Sequence, residues 1–371
     1  MDKHLHIVCL DVPFPPDYGG VFDLYYKIVA LHQQGVKIHL HCFEYGRGKQ
    51  YDLNYYCTEV NYYKRRKNIM AFFSGIPHIA ASRANNELLH NLLKDDHPVL
   101  LEGIHCTWFL YQNKLKEKKV LIRLHNVEYD YYFNLAKVET SLMRKLYFFT
   151  EGWLLKRYEK KVAEKALCVA VSKNDISVYN SEFGITSIEY LPVFLPYIKL
   201  NCVTGNGDFY LYHGNLSVIE NEIAVEWLLE NVHDPAIPFI IAGKNPSKKL
   251  VDLGKTYTGV SIIENPTTET LNELIRSAQV HLLPSFNSSG IKIKLINALF
   301  NGRHCLVNQE AGIETELELL CHVSKKKDYK KKAAELFTRP FTEQDIELRS
   351  NVLLDKFNNQ KNALQLMQWI Y

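Results

Sequence analysis

Three segments of the sequence carry residue types and spacings that could bind an anion or position a hydroxyl group. The first is PFPPDYGG at residues 13–20, between a strand-like run and a helical pattern. Gly19 and Gly20 at such a junction let backbone N–H groups approach an anion at the positive end of the helix. A rigid proline turn followed by a glycine helix start explains the same residues. The dinucleotide fingerprint G-x-G-x-x-G is missing from this junction.

The second segment is LIRLHNVEY at residues 121–129, where an apolar run ends in polar residues. In open α/β sheets, ligands bind beyond the carboxyl ends of the strands, which is where His125 is expected. A neutral imidazole there can hydrogen-bond a hydroxyl group or stabilise developing charge. A buried histidine–asparagine pair that caps the next helix accounts equally for this pattern.

The third segment is PSFNSSGIKIKLINALFNG at residues 284–302. A strand is expected to end at Pro284, and Ser288 or Ser289 can cap a helix that begins near Gly290. The segment therefore predicts a polar loop that leads directly into a helix N-terminus.

Polar residues on this predicted helix form a stripe. Lys294, Asn297 and Asn301 fall at positions i, i+3 and i+7, beside an apolar face. A helix N-terminus, a lysine and an amide on one face suit a nucleotide diphosphate and its ribose. A solvated helix face is the plainer alternative.

Other chemistries find less support in the sequence. His4 and His6, and likewise His39 and His41, are spaced to share strand faces. No cysteine or carboxylate cluster of metal-ligand spacing completes them, so a zinc site is not expected. The P-loop, G-x-S-x-G and H-E-x-x-H patterns are also missing from the sequence.

The elements that must position these segments alternate along the whole chain. Strand-like apolar runs occur at residues 6–10, 37–43, 99–102, 120–125, 167–171, 188–193, 209–213, 238–242, 260–264, 280–284 and 304–308. Helical patterns lie between them, for example at residues 21–34, 220–231, 268–278 and 291–301. Strand–helix alternation that occurs twice over predicts two α/β units with parallel sheets.

Turn residues cluster between residues 195 and 208, which predicts the boundary between the units. We therefore predict an N-terminal domain at residues 1–200 and a second domain at residues 201–340. Residues 341–371 have the pattern of one long amphipathic helix.

Composition restricts the class of protein. The chain has 371 residues and a net charge of +3, with 26 basic against 21 acidic residues in positions 1–200. This imbalance is too mild for a dedicated nucleic-acid binder, so no nucleic-acid partner is expected. Eight scattered cysteines, the lack of a signal-peptide pattern and the lack of a long apolar run predict a cytoplasmic protein with reduced thiols.

One basic and aromatic segment suggests a surface partner. In residues 62–73, the sequence YYKRRKNIMAFF places basic residues before apolar and aromatic ones. This pattern predicts peripheral contact between the first domain and an anionic membrane, on its inner face. A surface loop that leads into a buried helix is the alternative.

The three segments, in this order, resemble the nucleotide-sugar glycosyltransferases of the GT-B fold, in the large retaining family four of surface-polysaccharide biosynthesis. The resemblance covers nearly the whole chain. It also includes VSKND at residues 171–175, YHGNLS at residues 212–217 and IAGKNP at residues 241–246. It implies two Rossmann-like domains that face each other across a cleft, with a C-terminal helix that crosses back to the first domain. It further implies a hexosyltransferase with a nucleotide-sugar donor, a glycan or lipid-linked acceptor, retention of configuration and no metal cofactor.

The resemblance also assigns roles by position. His125 would be the catalytic residue that holds the transferred sugar, and Gly19 and Gly20 would admit the donor phosphates. Lys294 would bind phosphate, and Asn297 stands where many relatives carry a ribose-binding glutamate. The remaining donor-binding positions are Gly214, Lys244, Ser289 and Gly290.

Two other functions remain open on the sequence. One is a degenerate, non-catalytic GT-B subunit that binds sugar or supports a partner enzyme. The other is a nucleotide-sugar epimerase, which is disfavoured because such enzymes use several acidic and histidine residues, whereas only His125 and Glu128 stand out here. The fold alone cannot separate these functions.

Overall fold

The computed structural model describes residues 2–16, 19–66, 75–286, 290–311 and 313–371. Ser289, and residues 67–73 of the basic and aromatic segment, lie outside the described residues. The chain forms two compact units. Unit 1 comprises Met1–Pro196, Ser289–Ile291 and Phe357–Tyr371, and unit 2 comprises Tyr197–Ser288 and Lys292–Lys356.

Each unit is built on one sheet. The strands are β1 (His4–Cys9), β2 (Lys37–Glu44), β3 (Glu59–Lys64), β4 (Val99–Glu102), β5 (Val120–Leu124), β6 (Leu167–Ala170), β7 (Ile188–Tyr190), β8 (Tyr210–Asn215), β9 (Phe239–Lys244), β10 (Val260–Glu264), β11 (Val280–Leu282), β12 (His304–Asn308) and β13 (His322–Ser324). The strand order is β3-β2-β1-β4-β5-β6-β7 in unit 1 and β10-β9-β8-β11-β12-β13 in unit 2. All of these pairings are parallel.

Helices connect the strands. They are α1 (Gly19–Gln33), α2 (His78–Ala81), α3 (Asn86–Leu92), α4 (Trp108–Tyr111), α5 (Glu128–Val138), α6 (Leu142–Ala163), α7 (Lys173–Val178), α8 (Ile219–Asn231), α9 (Lys248–Gly254), α10 (Thr268–Ser277), α11 (Ile293–Asn301), α12 (Thr315–Glu318), α13 (Tyr329–Thr338), α14 (Glu343–Lys356) and α15 (Asn359–Ile370). Within the described residues, no helix is both long and apolar enough to span a membrane.

The sheet of unit 1 is covered on both faces. Leu5 and Ile7 of β1 pack into the core formed with α1 and α15, whereas Val8 packs into the core on the opposite face with Leu155 of α6. Strands that are buried on both sides need apolar side chains at successive positions. This requirement explains why the central strands appear in the sequence as continuous apolar runs.

Two strands at the sheet edges were not predicted. In β3 only Tyr63 is fully buried, and β13 has only three residues. An edge strand has one neighbour and a partly solvated face, so it does not need a continuous apolar run. The sequence pattern therefore gave no signal for either strand.

The prediction of one helix across residues 341–371 is wrong. The segment forms two helices, α14 and α15, and only α15 belongs to unit 1. Asn358 interrupts the helical backbone with φ −73° and ψ 102°, and its side chain accepts a hydrogen bond from the Lys361 N–H at 3.0 Å. Asparagine competes with helical backbone bonding in this way, so it begins a new helix instead of continuing the old one.

The helix predicted to begin near Gly290 also starts later. Gly290 has φ +69°, which lies in the left-handed region and cannot belong to a right-handed helix. Helix α11 accordingly begins at Ile293.

We predict that unit 1 depends on α15 for stability. Leu366 is fully buried in the core shared with α1, whereas Leu364 on the same helix is 50% exposed. Leu366→Ala should lower the free energy of unfolding by about 2–5 kcal/mol, because it removes buried methyl groups and leaves a cavity. Leu364→Ala, the matched control, should change it by less than about 0.5 kcal/mol. Urea denaturation of both variants measures the difference, and equal effects would contradict this packing.

Candidate functional site

The carboxyl edge of the sheet in unit 1 collects a group of charged side chains. Glu102 is the last residue of β4, and His125 directly follows β5. Asp23 and Lys27 lie one turn apart on α1, the helix that follows β1. Strands β1, β4 and β5 are neighbours in the sheet, and the chain reverses its direction of winding between β1 and β4. Such a switch point is where ligands bind in open α/β sheets.

The charges in this group are paired with one another. Lys27 Nζ lies 2.7 Å from Asp23 Oδ2 and 2.9 Å from Glu102 Oε1. Arg123 on β5 donates from Nε to Asp23 Oδ2 at 3.1 Å and from Nη2 to Asp23 Oδ1 at 3.0 Å. We call these four side chains the buried ion network. Each is at most 2% exposed, so each charge depends on its partners to offset the loss of water.

Both carboxylates of the buried ion network stay ionised. Burial alone would raise the pKa of Asp23, but the charges of Arg123 and Lys27 hold it well below its usual range. Burial likewise opposes ionisation of Glu102, and Lys27 and His125 lower its pKa below the ordinary value. An ionised carboxylate only accepts hydrogen bonds, so its neighbours must donate.

The buried ion network orients His125. The Nε2 atom of His125 lies 3.0 Å from Glu102 Oε2, whereas Nδ1 is 3.9 Å from Asp23 Oδ2, beyond hydrogen-bond distance. Because Glu102 only accepts, Nε2 carries a proton and donates it to Glu102, whereas Nδ1 lies too far from Asp23 for a hydrogen bond. The side chain is 15% exposed. A carboxylate that fixes an imidazole in this way sets both its tautomer and its direction.

Asp23, Glu102 and His125 are also close enough together to be cation ligands. Lys27 and Arg123 already neutralise the two carboxylates, however. The group is therefore an ion network that supports His125.

Sequence reasoning missed a second histidine beside His125. Gly103 has φ +80°, and a Cβ atom built on it would lie 3.1 Å from His105 Nδ1 and 3.8 Å from His125 Cδ2. His105 Nδ1 is 3.9 Å from Glu128 Oε1. Burial raises the pKa of Glu128 to about 7 and lowers the pKa of His105 well below its ordinary value. The only sequence signal was the position of His105 just after a predicted strand.

The two predicted phosphate-binding glycines begin α1. Gly19 and Gly20 are its first two residues, and the N–H groups of a first helical turn have no partner within the helix. Residues 17 and 18 of the same segment lie outside the described residues. The two glycines thus occupy the helix end at which an anion is stabilised.

Unit 2 has its own polar group at the carboxyl edge of its sheet. Lys294 on α11 donates to the Tyr212 hydroxyl at 2.8 Å and to Asn221 Oδ1 at 2.9 Å. Asn221 in turn donates to the Asn215 carbonyl at 2.8 Å. A Cβ atom built on Gly214 would lie 3.5 Å from Asn221 Nδ2 and 3.9 Å from Lys294 Cδ. The structure therefore brings the predicted residues Gly214 and Lys294 together, and it adds Tyr212 and Asn221 to them.

The hydrogen-bond partners of Lys294 are neutral oxygens, which shapes its electrostatics. Burial, together with the charge of Lys292 and partly opposed by Glu220, lowers the pKa of Lys294 to about 7. The ammonium group of Lys294 therefore has neutral hydrogen-bond partners where a carboxylate would stabilise its charge. An anionic ligand would supply negative charge and raise the pKa.

Lys244 lies at the same edge. It is the last residue of β9 and pairs with Asn215, the last residue of β8. A Cβ atom on Gly243 would lie 2.0 Å from the Gly214 carbonyl oxygen, so only glycine allows the two strand ends to approach this closely. The predicted residues Gly214, Lys244 and Lys294 thus share one end of the sheet.

Two other predicted residues, Asn297 and Gly290, make hydrogen bonds outside the Lys294 group. Asn297 lies one turn after Lys294, and its Oδ1 accepts from Asn301 Nδ2 at 2.8 Å. Asn201 donates to Asn301 Oδ1 at 2.9 Å, which extends this amide chain. Gly290 belongs to unit 1, where its N–H donates to Asp175 Oδ1 at 3.3 Å. Gly290 therefore lies before α11, which begins at Ile293, and its role in donor binding stays a prediction.

Comparison with known proteins identifies the fold. No protein-family model matches the sequence. A protein of Klebsiella pneumoniae, described as an uncharacterised 44.6 kDa protein in the cps region, is 28% identical over 317 residues, which cover 80% of each chain.

Solved structures match almost the full length. WaaG, a glycosyltransferase involved in lipopolysaccharide biosynthesis, matches with a TM-score of 0.66 at 12% identity and covers 99% of both chains. Anabaena HepE in complex with UDP and glucose has a TM-score of 0.65 at 10% identity and covers 99% of this chain and 98% of its own. The trehalose-6-phosphate synthase OtsA has a TM-score of 0.62 at 12% identity and covers 99% of both chains. The chain therefore has the GT-B fold of glycosyltransferases, which confirms the predicted pair of Rossmann-like parallel-sheet domains.

We predict that the buried ion network is essential for the stability of unit 1. Asp23→Asn should lower the free energy of unfolding by about 3–5 kcal/mol, because it leaves Lys27 and Arg123 buried with too little negative charge. Asp252→Asn, the control, removes an exposed partner of Lys255 at 2.9 Å and should change stability by less than about 1 kcal/mol. Urea denaturation of both variants makes the comparison, and a harmless Asp23→Asn substitution would refute the role of the network.

Proposed function

We propose that this protein is a glycosyltransferase that moves a hexose from a nucleotide-sugar donor to a glycan or lipid-linked acceptor, with retention of configuration. The observation that carries the proposal is the Lys294 group at the carboxyl edge of the sheet in unit 2. A half-buried lysine whose hydrogen bonds go to neutral oxygens is suited to a diphosphate. The GT-B fold supports sugar transfer as the kind of reaction.

The two units supply different parts of the chemistry. Lys294 and Lys244 would bind the diphosphate and stabilise the negative charge that develops on it as the sugar–phosphate bond breaks. These lysines would supply the positive charge that some other transferases obtain from a metal ion. His125 would hold a hydroxyl group of the transferred sugar through Nδ1, while Glu102 fixes its orientation. Gly19 and Gly20 would offer backbone N–H groups to the donor.

The relatives point to a pathway. The Klebsiella protein is described by its position in a cps region, and WaaG by its role in lipopolysaccharide biosynthesis. We propose polysaccharide biosynthesis as the process in which this protein acts, in the cytoplasm. The eight cysteines are free thiols, which fits a reducing compartment.

A nucleotide screen followed by a turnover assay tests the proposal. One of UDP, GDP, ADP and CMP should raise the melting temperature, because a ligand that binds only the folded chain stabilises it. The corresponding nucleotide sugars should then release nucleotide slowly in water and faster with a suitable acceptor. Binding without turnover would favour the non-catalytic subunit. The absence of both binding and turnover would overturn the proposal.

We predict that nucleotide binding depends on Lys294 and on pH. The pKa of Lys294 in the free protein is about 7, and a bound diphosphate would raise it. Below pH 7 the lysine is already charged, whereas above pH 7 binding must take up a proton. Affinity should therefore fall as the pH rises from 7 to 9, by up to about tenfold for each pH unit.

Calorimetry on two variants checks this prediction. Lys294→Ala should weaken binding and abolish the proton uptake. Lys249→Ala, which removes a lysine that is 73% exposed and pairs with Glu226, should do neither. If Lys294→Ala binds the nucleotide as wild type does, the phosphate site lies elsewhere.

We also propose peripheral contact with an anionic membrane, through a surface of unit 1 that differs in part from the predicted one. The segment predicted for this contact was residues 62–73. Its first residues, Tyr62–Lys64, belong to strand β3, and residues 67–73 lie outside the described residues. The described surface with the required chemistry is on α6.

One face of α6 exposes a stripe of large apolar side chains. Leu142 is 82% exposed, Leu146 63%, Phe149 57% and Trp153 46%. They fall at positions i, i+4, i+7 and i+11, which is the spacing of one helix face. Exposed contiguous apolar surface of this kind marks an interaction site. Phenylalanine and tryptophan suit a membrane interface.

The charges on α6 favour a lipid surface over a second copy of the chain. The helix carries six basic residues, namely Arg144, Lys145, Lys156, Arg157, Lys160 and Lys161. Glu139 and Glu182 pair with two of them, and Arg157 stacks 3.6 Å from the centre of the Trp153 ring. A symmetric dimer through this face would oppose like charges. An anionic leaflet would gain about 1 kcal/mol for each lysine or arginine near its surface.

We predict that the apolar stripe on α6 is needed for membrane contact. Wild-type protein should float with vesicles that contain phosphatidylglycerol and much less with pure phosphatidylcholine. The double variant Leu146→Glu/Phe149→Glu should lose flotation, because it places negative charge in the contact. Leu364→Glu, at an exposed leucine of α15, is the matched control and should float as wild type does. Equal recovery with both kinds of vesicle would rule out the contact.

A further inference from the structure

The amino ends of β1, β2 and β4 bring histidines together at the edge of the sheet opposite to His125. His4 begins β1, His39 lies near the start of β2, and His97 lies two positions before the start of β4. Strand β1 pairs with both β2 and β4, so the three residues meet although they are far apart in the sequence. The sequence showed that His4 and His6, and likewise His39 and His41, share strand faces, but it could not show that His4, His39 and a loop histidine meet.

We propose that His4, His39 and His97 form a binding site for a divalent transition-metal ion such as Zn²⁺. One ring nitrogen from each residue lies within 4.8 Å of the other two. His4 Nδ1 and His39 Nε2 are 2.9 Å apart. This site is distinct from the proposed transferase site.

The nitrogen separations are close to those of a tetrahedral ion, and the three stacked rings must rotate to bind it. Zn–N bonds of about 2.0–2.1 Å place two ligand nitrogens about 3.3 Å apart in a tetrahedron. The observed separations, from 2.9 Å up to at most 4.8 Å, lie on both sides of that value. The rings of His4 and His97 are stacked, with centroids 4.4 Å apart. Rotation of these side chains would turn their nitrogen lone pairs towards a common point.

Carboxylates near the histidines provide the support that metal ligands need. Glu59 Oε1 accepts from His39 Nδ1 at 2.9 Å, which leaves Nε2 to face His4. Metal-binding histidines usually donate their other N–H group to such an acceptor. Asp95 accepts from the His97 backbone N–H at 2.9 Å and so fixes the loop that carries this residue.

His6 and His41 form a further set of hydrogen bonds beside the three histidines. His6 Nε2 lies 3.0 Å from Asp95 Oδ1, and His6 Nδ1 lies 2.9 Å from His41 Nε2. His41 Nδ1 lies 2.8 Å from the Tyr63 hydroxyl. Because His6 and His41 are committed to these partners, they act as support for the three outer residues.

Two carboxylates and one lysine lie around the site. Glu59 and Asp95 are acidic, whereas Lys118 lies 3.3 Å from Asp95 Oδ1. The positive charge of Lys118 reduces the attraction of the site for a cation. Because Lys118 also pairs with Asp95, the fourth ligand would be water. Three imidazole nitrogens and a water molecule select Zn²⁺, Ni²⁺, Co²⁺ or Cu²⁺ over Mg²⁺ or Ca²⁺, which prefer oxygen ligands.

A bound ion would link three segments of unit 1. The side chains of His39 and His97 are 14% and 34% exposed, so an ion can enter from solvent. Bound metal would join β1, β2 and the loop before β4, and would stabilise the folded chain in proportion to its concentration.

Calorimetric titration of the full chain, without a polyhistidine tag and after chelator treatment, tests the proposal. Wild-type protein should bind one Zn²⁺, should not bind Mg²⁺, and should melt at a higher temperature with Zn²⁺. His97→Ala and His39→Ala should each weaken Zn²⁺ binding by at least about tenfold, since even outer partners contribute that much. Glu59→Gln should also weaken it.

His90→Ala provides the control, because His90 is an exposed histidine on α3 and its loss should leave Zn²⁺ binding unchanged. Circular dichroism confirms that each variant is folded, and His4→Gln is the reserve variant if one is not. Tetrahedral Co²⁺ absorption that is lost in His97→Ala would support the site. Failure of wild type to bind Zn²⁺, or equal binding by wild type, His39→Ala and His97→Ala, would overturn the proposal.

Discussion

The buried ion network of Asp23, Lys27, Glu102 and Arg123 is the constraint on which the rest of unit 1 depends. It joins α1 to the ends of β4 and β5, and Asp23 Oδ1 also accepts from the Phe194 N–H at 2.8 Å. Arg123 donates to the carbonyl groups of Leu191 and Pro192 at 2.7 and 2.9 Å. Four charges without water are stable only when every partner is in place. The network therefore fixes the sheet edge from which His125 projects.

The Lys294 group of unit 2 differs from the buried ion network in the partners of its cation. Where the buried ion network pairs Lys27 and Arg123 with carboxylates, Lys294 donates to a hydroxyl and an amide oxygen, and its pKa falls to about 7. The negative charge that this lysine lacks is what a diphosphate would bring. A site that is completed by its ligand is suited to bind that ligand and to stabilise it as it leaves. Unit 1 thus contains a charge-paired network that supports His125, whereas unit 2 contains a lysine, Lys294, whose hydrogen-bond partners are neutral.

The sequence predicted the central strands well; the central strands β4 and β12 and the edge strand β10 have the predicted bounds. A strand that is buried on both faces leaves a continuous apolar run, whereas the edge strands β3 and β13 leave none. Lys294 could be selected from its spacing on a predicted helix, whereas Gly214 and Lys244 were selected only by their positions in the family resemblance. Asp23 and Arg123 could not, because their contact joins residues 100 positions apart. His97 could not be selected for the same reason, because this loop residue meets His4 and His39 only in the folded sheet.

The central claim is that His125, oriented by Glu102, acts on the transferred sugar, while Lys294 binds the nucleotide. The most direct test compares wild type with His125→Ala, using the nucleotide sugar that the screen identifies. We expect kcat for sugar transfer to fall by about 100-fold or more, because the imidazole that positions the sugar hydroxyl is lost, while the Kd for the nucleotide stays within about threefold. An unchanged kcat, or a loss of nucleotide affinity as large as the loss of kcat, would contradict it.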